Sequence, residues 1–280
     1  MIEIYHKNIK EKVFKILDVR SFKPGSWIYA ENIDNNDIEL LSERFSLDAG
    51  LLKDAMDPYE VPRSETKGGI LYIFTRVPHL EDGQILTTPL LIAIGNNFLA
   101  TASRIHLPFL EKLVKTEHFF TTQKTNLFLL VFSQITSAYN EFLTSINKQV
   151  RGISVKLNKV TNTDIVQFVG YEEILNDFMS ALVPTNTILS HILSGKSLEL
   201  FPQDKELIED LSLSNGQLIE ICRANLKNIV NIRQAYSTIM ANDLNRVIKL
   251  LTSLTIILTI PMIISSLYGM NLKLPFDQSP

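Results

Sequence analysis

With a single cysteine, Cys222, the chain can form no internal disulfide and no cysteine-built metal site. Histidine is scarce as well. His6, His79, His106, His118 and His191 never fall three or four residues apart, so no helical histidine pair is available to a metal. No strand-like run leads into a glycine-rich phosphate loop, and no Gly-x-Ser-x-Gly elbow occurs, which leaves an enzyme reading without a nucleophile or an acid/base constellation. Excess charge of either sign is missing too. The 27 basic residues against 30 acidic ones give a formal net charge of -3, without the basic balance that marks nucleic-acid binding. The opening residues MIEIYHKNIKEK alternate and are charged, so they do not form the apolar core of a secretory signal.

Apolar residues, by contrast, make up 45% of the 280 positions, and their spacing changes along the chain. Residues 1–120 read as mixed α/β. Strand-like runs occur at Trp27–Ala30, Ile70–Val77, Pro89–Gly95 and Phe98–Ala102, with Asn96-Asn97 as a hairpin turn between the last two. Helical spacing appears at Asn36–Phe45 and at Asp48–Met56, where Asp48 is an N-cap, before Pro58 and Pro62 break the chain. From about Thr125 strand signals vanish. Helices are predicted over Thr125–Lys159, Thr163–Leu193 and from Asp204 onward, with Pro184 kinking or interrupting the second and Ser194–Pro202 as a turn. In the last helix Leu218, Cys222, Leu226, Ile229, Ile232, Tyr236 and Ile239 form one apolar stripe. No proline or capping glycine interrupts the chain between Gln217 and Ile260, so a helix from Asp204 to Leu267 would reach about 95 Å and protrude as a stalk.

Residues 250–272 then carry no Asp, Glu, Lys or Arg, long enough for a bilayer-spanning helix of ~20 residues. Pro261 is compatible with such a helix where neighbours satisfy the freed carbonyl. Arg223, Lys227, Arg233, Arg246 and Lys249 precede the run with Asp243 as the only acid among them, and only Lys273 and Asp277 follow. The positive-inside bias places residues 1–249 in the cytoplasm and the carboxyl end outside. Thr252, Thr255, Thr259 and Ser266 share one face of the span. Their hydroxyls either face a bundle interior or watery pore, or bond back to their own helix's carbonyls.

The span ends in Tyr268-Gly269-Met270-Asn271. This tetrapeptide, closing an apolar helix that continues from a long stalk, resembles the signature of the CorA family of divalent-cation channels. The segment Asn245-x-x-Ile248-Lys249-x-Leu251-Thr252 resembles that family's inner pore entrance, and the order of elements along the whole chain agrees. The resemblance implies an α/β cytoplasmic domain (1–120), an antiparallel helical segment (121–203), a stalk helix (204–249), a pore-lining transmembrane helix (250–268) and the start of an outer loop (269–280). It further implies a homopentamer in the cell membrane that conducts hydrated Mg²⁺ inward. Asn271 would form the outer ring and Gly269 a tight turn at the mouth beside Tyr268 and Met270. Asn245 would form an inner polar ring and Ile248 and Leu251 an apolar constriction, with Thr255, Thr259, Met262 and Ser266 above it. A Mg²⁺-sensing interface site falls by position on Asp54 and Asp210, although Lys53 stands where an acid is common.

The family's second membrane helix and short basic tail are not in the sequence as written, so a multi-pass complete protein, truncated here, is expected. Two other readings stay open: a zinc-, cobalt- or nickel-transporting relative of the same architecture, and a single-pass membrane-tethered interaction or sensor module.

Overall fold

A computed structural model describes residues 1–10, 15–18, 21–115, 119–154, 160–195, 198 and 200–269. Seven strands form one sheet: β1 (Ile2–His6), β2 (Lys15–Leu17), β3 (Ser26–Glu31), β4 (Arg63–Lys67), β5 (Ile70–Glu81), β6 (Gln84–Ile94) and β7 (Phe98–Ser103). Their order is β2-β1-β3-β7-β6-β5-β4. Every neighbouring pair is antiparallel except β3 and β7, which run parallel in the middle of the sheet. The helices are α1 (Asn35–Phe45), α2 (Ala49–Asp54), α3 (Pro108–Lys115), α4 (Lys124–Ser154), α5 (Asn162–Leu193) and α6 (Pro202–Tyr268).

The two faces of the sheet are separated by the period-two alternation of strand side chains. Ile28, Tyr72, Phe74, Leu91 and Ala93 pack on one face with Ile38, Leu41, Phe45 and Leu52 of α1 and α2. Trp27, Tyr29, Leu71, Ile73 and Ile92 face the other way, into a core shared with Phe128, Phe132, Phe178 and Cys222 of the long helices. Each inner strand is apolar on both sides because both sides are covered. This is why β3, β5, β6 and β7 read as apolar runs and not as alternating patterns.

Three expectations are corrected. The chain holds strands β1, β2 and β4 and the short helix α3 where no element was expected. Strands β5 and β6 run on to Glu81 and back to Gln84, well past Val77 and Pro89. Asp82 (φ 49°) and Gly83 (φ 80°) join them, both in the left-handed conformation that a two-residue Asp-Gly turn demands. Prolines Pro78 and Pro89 sit in the part of this hairpin that outruns its neighbours, since β4 pairs only with Ile70–Phe74 and β7 only with Leu90–Ile94. A missing N–H there breaks no ladder on the open side.

Pro184 does not interrupt α5, which is helical through to Leu193. Ala181, Leu182, Thr185 and Ile188 are buried around it. Asn215 of α6 donates to the carbonyl of Leu182 (2.8 Å), and Ser212 donates to Asn186 Oδ1 (3.1 Å). This polar clasp ties α5 to α6 beside the proline, where the ladder loses a donor. Helix α6 begins at Pro202, its fixed φ suited to the first helical position, and Phe201 N–H donates to Asp204 Oδ2 (3.1 Å). At ~1.5 Å per residue its 67 residues extend about 100 Å.

Candidate ion-conducting helix

The amino-terminal half of α6 is clamped. Ile208, Leu218, Ile219, Cys222, Ile229 and Ile232 are buried against the other helices, so the predicted stripe holds as far as Ile232. Arg233 marks the edge of this contact, its guanidinium 2.7 Å from Glu172 of α5, and Tyr236 donates to Asn162 Oδ1 (2.8 Å). Beyond Ile239 no described side chain of α6 is buried, and only Thr259 is even partly covered. The helix contains a stretch long and apolar enough to cross a bilayer, none of it buried within the subunit. An apolar rod of this length cannot remain bare in water; lipid or further copies of the chain must cover it.

Along that bare rod lie Asn245, Ile248, Thr252, Thr255, Thr259, Met262 and Ser266. Their steps of three and four average 3.5 residues, which keeps a stripe facing a common axis when helices supercoil left-handedly. Leu251 stands one residue off this line, on its flank. The hydroxyls are already engaged. Thr252 donates to Ile248 O (2.8 Å), Thr255 to Leu251 O (2.9 Å) and Thr259 to Thr255 O (2.7 Å). Bonding back within the helix, one of the two arrangements open from the sequence, is thus what a subunit alone adopts. It spends each hydroxyl hydrogen and leaves the oxygen as a pure acceptor. That is the polarity a hydrated cation meets best, because its water ligands present hydrogens outward.

At the far end Tyr268 is exposed and Gly269 closes the helix, its N–H donating to Ser265 O (2.9 Å). Gly269 has φ -81° and ψ -5°, a conformation open to any residue, so the expected tight turn is not made at Gly269 itself. A Cβ there would sit 3.3 Å from Ser265 O, so the glycine relieves a close approach. Met270 and Asn271 lie outside the described residues.

The site expected of Asp54 and Asp210 lies between copies of the chain, and the single chain carries the two on separate elements, α2 and α6. Among the described residues no group of three or more His, Cys, Asp or Glu could hold a metal ion. Asp54 ends α2 and is bonded by Arg63 of β4 (2.7 Å), while Asp210 is exposed on α6. Arg63 also packs 4.2 Å from the Phe74 ring and pairs with Glu60. The sequence reading missed this guanidinium because β4, Arg63–Lys67, is entirely polar and carries no strand signal.

A family model described as "CorA-like Mg2+ transporter protein" matches residues 23–280. The "Cobalt/magnesium transport protein CorA" of Methanocaldococcus jannaschii is 27% identical over 94% of this chain and 86% of its own length. The solved structure of the complete CorA magnesium transporter from the same organism superposes with a TM-score of 0.89 at 23% identity, covering all of this chain and 90% of that one. The ZntB cytoplasmic domain from Vibrio parahaemolyticus superposes with a TM-score of 0.71 at 9% identity, over 86% of this chain and 98% of that one, and shares the fold alone.

Proposed function

This chain belongs to the CorA family of divalent-cation transporters, and from that premise we propose that it is one subunit of a homo-oligomeric channel for Mg²⁺ uptake. The observation that carries the reading is the bare face of α6, where neutral acceptor oxygens recur at heptad spacing with no charge between Lys249 and Gly269.

Mg²⁺ holds its waters tightly, so a pore can recognise the hydrated ion from outside its first shell. Hydroxyl oxygens of Thr252, Thr255 and Thr259 accept from those waters without displacing them. Asn271 would offer carboxamide oxygens at the outer mouth, and Asn245 would do the same on the inner side. Neutral oxygens attract the ion weakly enough to release it, as conduction requires. Ile248 and Leu251 supply no acceptor and would close the path when drawn together, since a narrow apolar ring dewets. A second ion is favoured by one observation: the 27%-identical relative is named a cobalt/magnesium transport protein. Co²⁺ is therefore a competing substrate to include. The positive-inside charge pattern puts the α/β domain on the cytoplasmic side.

Asn271→Ala in the protein embedded in liposomes is expected to abolish Mg²⁺ uptake while the assembly keeps its size. Uptake at the parent rate would remove Asn271 from the conducting path and sink the pore assignment.

For regulation, Asp54 and Asp210 are proposed to approach across a subunit boundary, where a divalent cation would relieve their repulsion and favour the closed ring. A cation bound only in that state stabilises it by ~2.7 kcal/mol per site at a hundredfold excess over its dissociation constant. Lys53, beside Asp54, and Arg63, 2.7 Å from it, oppose a bound cation. Closure should therefore need more internal Mg²⁺ than it would without them. Lys53→Glu and Arg63→Ala are expected to close at lower internal Mg²⁺, and Asp210→Ala to stay open at high Mg²⁺. Coincident curves for the parent and all three variants would show that these carboxylates sense nothing.

A further inference from the structure

The buried seam of α6 repeats itself. Ile208, Asn215, Cys222 and Ile229 recur every seven residues, and Leu218, Asn225 and Ile232 form a second line with the same spacing. A heptad seam of this kind meets neighbouring helices as the seam of a coiled coil does. Where every position is apolar, sliding the helix by one heptad, ~10 Å at 1.5 Å per residue, lays like upon like and leaves its axial position weakly specified. Two asparagines break this seam, and they are bonded in opposite ways.

Asn215, 2% exposed, reaches across to α5. Its Nδ2 donates to Leu182 O (2.8 Å) and, at 3.4 Å, to Asn186 Oδ1, which also accepts from Ser212 Oγ of α6 (3.1 Å). The two acceptor residues stand on either side of Pro184. At the same level Thr185 reaches the sheet, its hydroxyl oxygen 3.3 Å from that of Thr75 of β5, with both residues buried. One polar layer thus crosses β5, α5 and α6 inside an apolar interior. Asn225 is just as deeply buried, but its Nδ2 bonds back to Ile221 O of its own helix (2.9 Å). Its Oδ1 has no hydrogen-bond partner among the described residues.

The apolar positions of the seam would hardly resist an axial slip of α6. The polar layer does, because a slip would carry the Asn215 amide away from Leu182 O and strand it among apolar side chains, where an unmet donor is strongly unfavourable. A single buried asparagine fixes the register of an apolar helical seam in the same way.

We infer that Asn215 is a positioning residue for ion transport: its bonds to α5 lock the axial register of α6 and so set the depth at which Asn245, Ile248 and the hydroxyl-bearing face stand in the bilayer. The lock is a property of the fold, and its consequence rests on the transport reading of α6. Because α6 is one helix from Pro202 to Tyr268, a slip at Asn215 reaches the membrane end undiminished. An outward move of one heptad would bring Asn245 to the level of Thr252 and draw Arg246 and Lys249 into the apolar zone.

The test is pulsed electron-spin distance measurement on the full chain in nanodiscs, labelled at Thr187→Cys of α5 and Lys227→Cys of α6 and diluted with unlabelled chain. Both positions are exposed, and the native thiol of Cys222 is buried. Lys227 lies ~18 Å along the axis from Asn215, so an axial slip changes the separation of the labels. The parent should give one distance. Asn215→Leu, which removes the cross-helix donor and keeps the seam apolar, should add a second distance displaced by at least one helical turn, ~5 Å. With half the chains displaced, Mg²⁺ uptake in liposomes should fall at least about twofold. Asn186→Ala, which removes the second acceptor and leaves Asn215 in place, should displace part of the population in the same sense. Asn225→Leu, the same change on the same seam without a cross-helix bond, should raise the thermal midpoint and keep the parent's distance and uptake. A single parental distance in both Asn215→Leu and Asn186→Ala would overturn the lock, as would an equal displacement in Asn225→Leu. A displaced distance with parental uptake would overturn the positioning role. A parent that moves no cation would sink the transport reading alone, since the distances report the lock without it.

Discussion

Asp48 shows how much a single side chain does in this molecule. Its carboxylate accepts from Leu51 N–H (3.1 Å) to cap α2 and lies 2.7 Å from Lys67 Nζ of β4, tying helix to sheet. The Lys67 hydrogen bond, and next the Leu51 N–H, hold its pKa below the usual carboxylate value. The folded state therefore gains from ionised Asp48 at all pH values above the ordinary carboxylate range and loses that gain as acid protonates it. Asp48→Ala should cost about 1 kcal/mol near neutrality and flatten the acid limb of a stability-versus-pH curve, measured by thermal midpoints. This cap was legible because an acid stood just before a helical pattern. The Asp54–Arg63 pair was not, because nothing local marks a contact between α2 and a polar strand. Cys222 gives a second check. Burial pushes its thiol up to about 12, so an aromatic disulfide reagent at mildly alkaline pH should leave the folded chain unlabelled and react fully after denaturation. Labelling of the native protein would contradict the packing of α6 against α4 and α5.

Among the elements, the β5–β6 hairpin outruns the predicted runs Ile70–Val77 and Pro89–Gly95, whose borders fall at Pro78 and Pro89. These prolines mark where the hairpin leaves the shelter of β4 and β7, and the Asp82-Gly83 turn signal between them was the clue. Gly83→Ala should destabilise by about 1 kcal/mol through its positive φ, since nothing lies within 4 Å to clash with a Cβ. The continuity of α5 through Pro184 was equally beyond local rules, because the buried neighbours and the Asn215–Leu182 bond come from distant sequence. In α6, by contrast, period and composition told nearly everything. Thr255→Val and Thr259→Val should leave far-UV helicity unchanged, as each hydroxyl only bonds back to its own helix. Mg²⁺ uptake should fall in each, measured by an ion-sensitive dye in liposomes. Unaltered uptake in both would place these oxygens away from the ion.

For the whole molecule, the bare face from Met240 to Gly269 is the feature that one subunit cannot account for alone. We expect a homopentamer from the protein in nanodiscs, checked by native mass spectrometry, and a stable monomer or dimer there would contradict the shared-axis arrangement of the stripe. The long helix and its bare apolar stretch were legible in the sequence because a charge-free run, a basic approach and a heptad spacing all act over one uninterrupted helix. The interface between copies was not readable, since no periodicity says which surfaces of different subunits meet.

That helix also acts as a lever. It is packed against α4 and α5 up to Ile232, with last ties to α5 at Arg233 and Tyr236, and carries no buried side chain from there to Tyr268. At 1.5 Å per residue, a rotation of about 5° at the grip would sweep Ile248 through ~2 Å and Tyr268 through ~5 Å. In the proposed channel, bore size at the inner end and at the outer mouth would thus follow one angle, with the mouth moving more than twice as far. A repacking too slight to disturb the sheet would be magnified into a change the width of a water molecule or more.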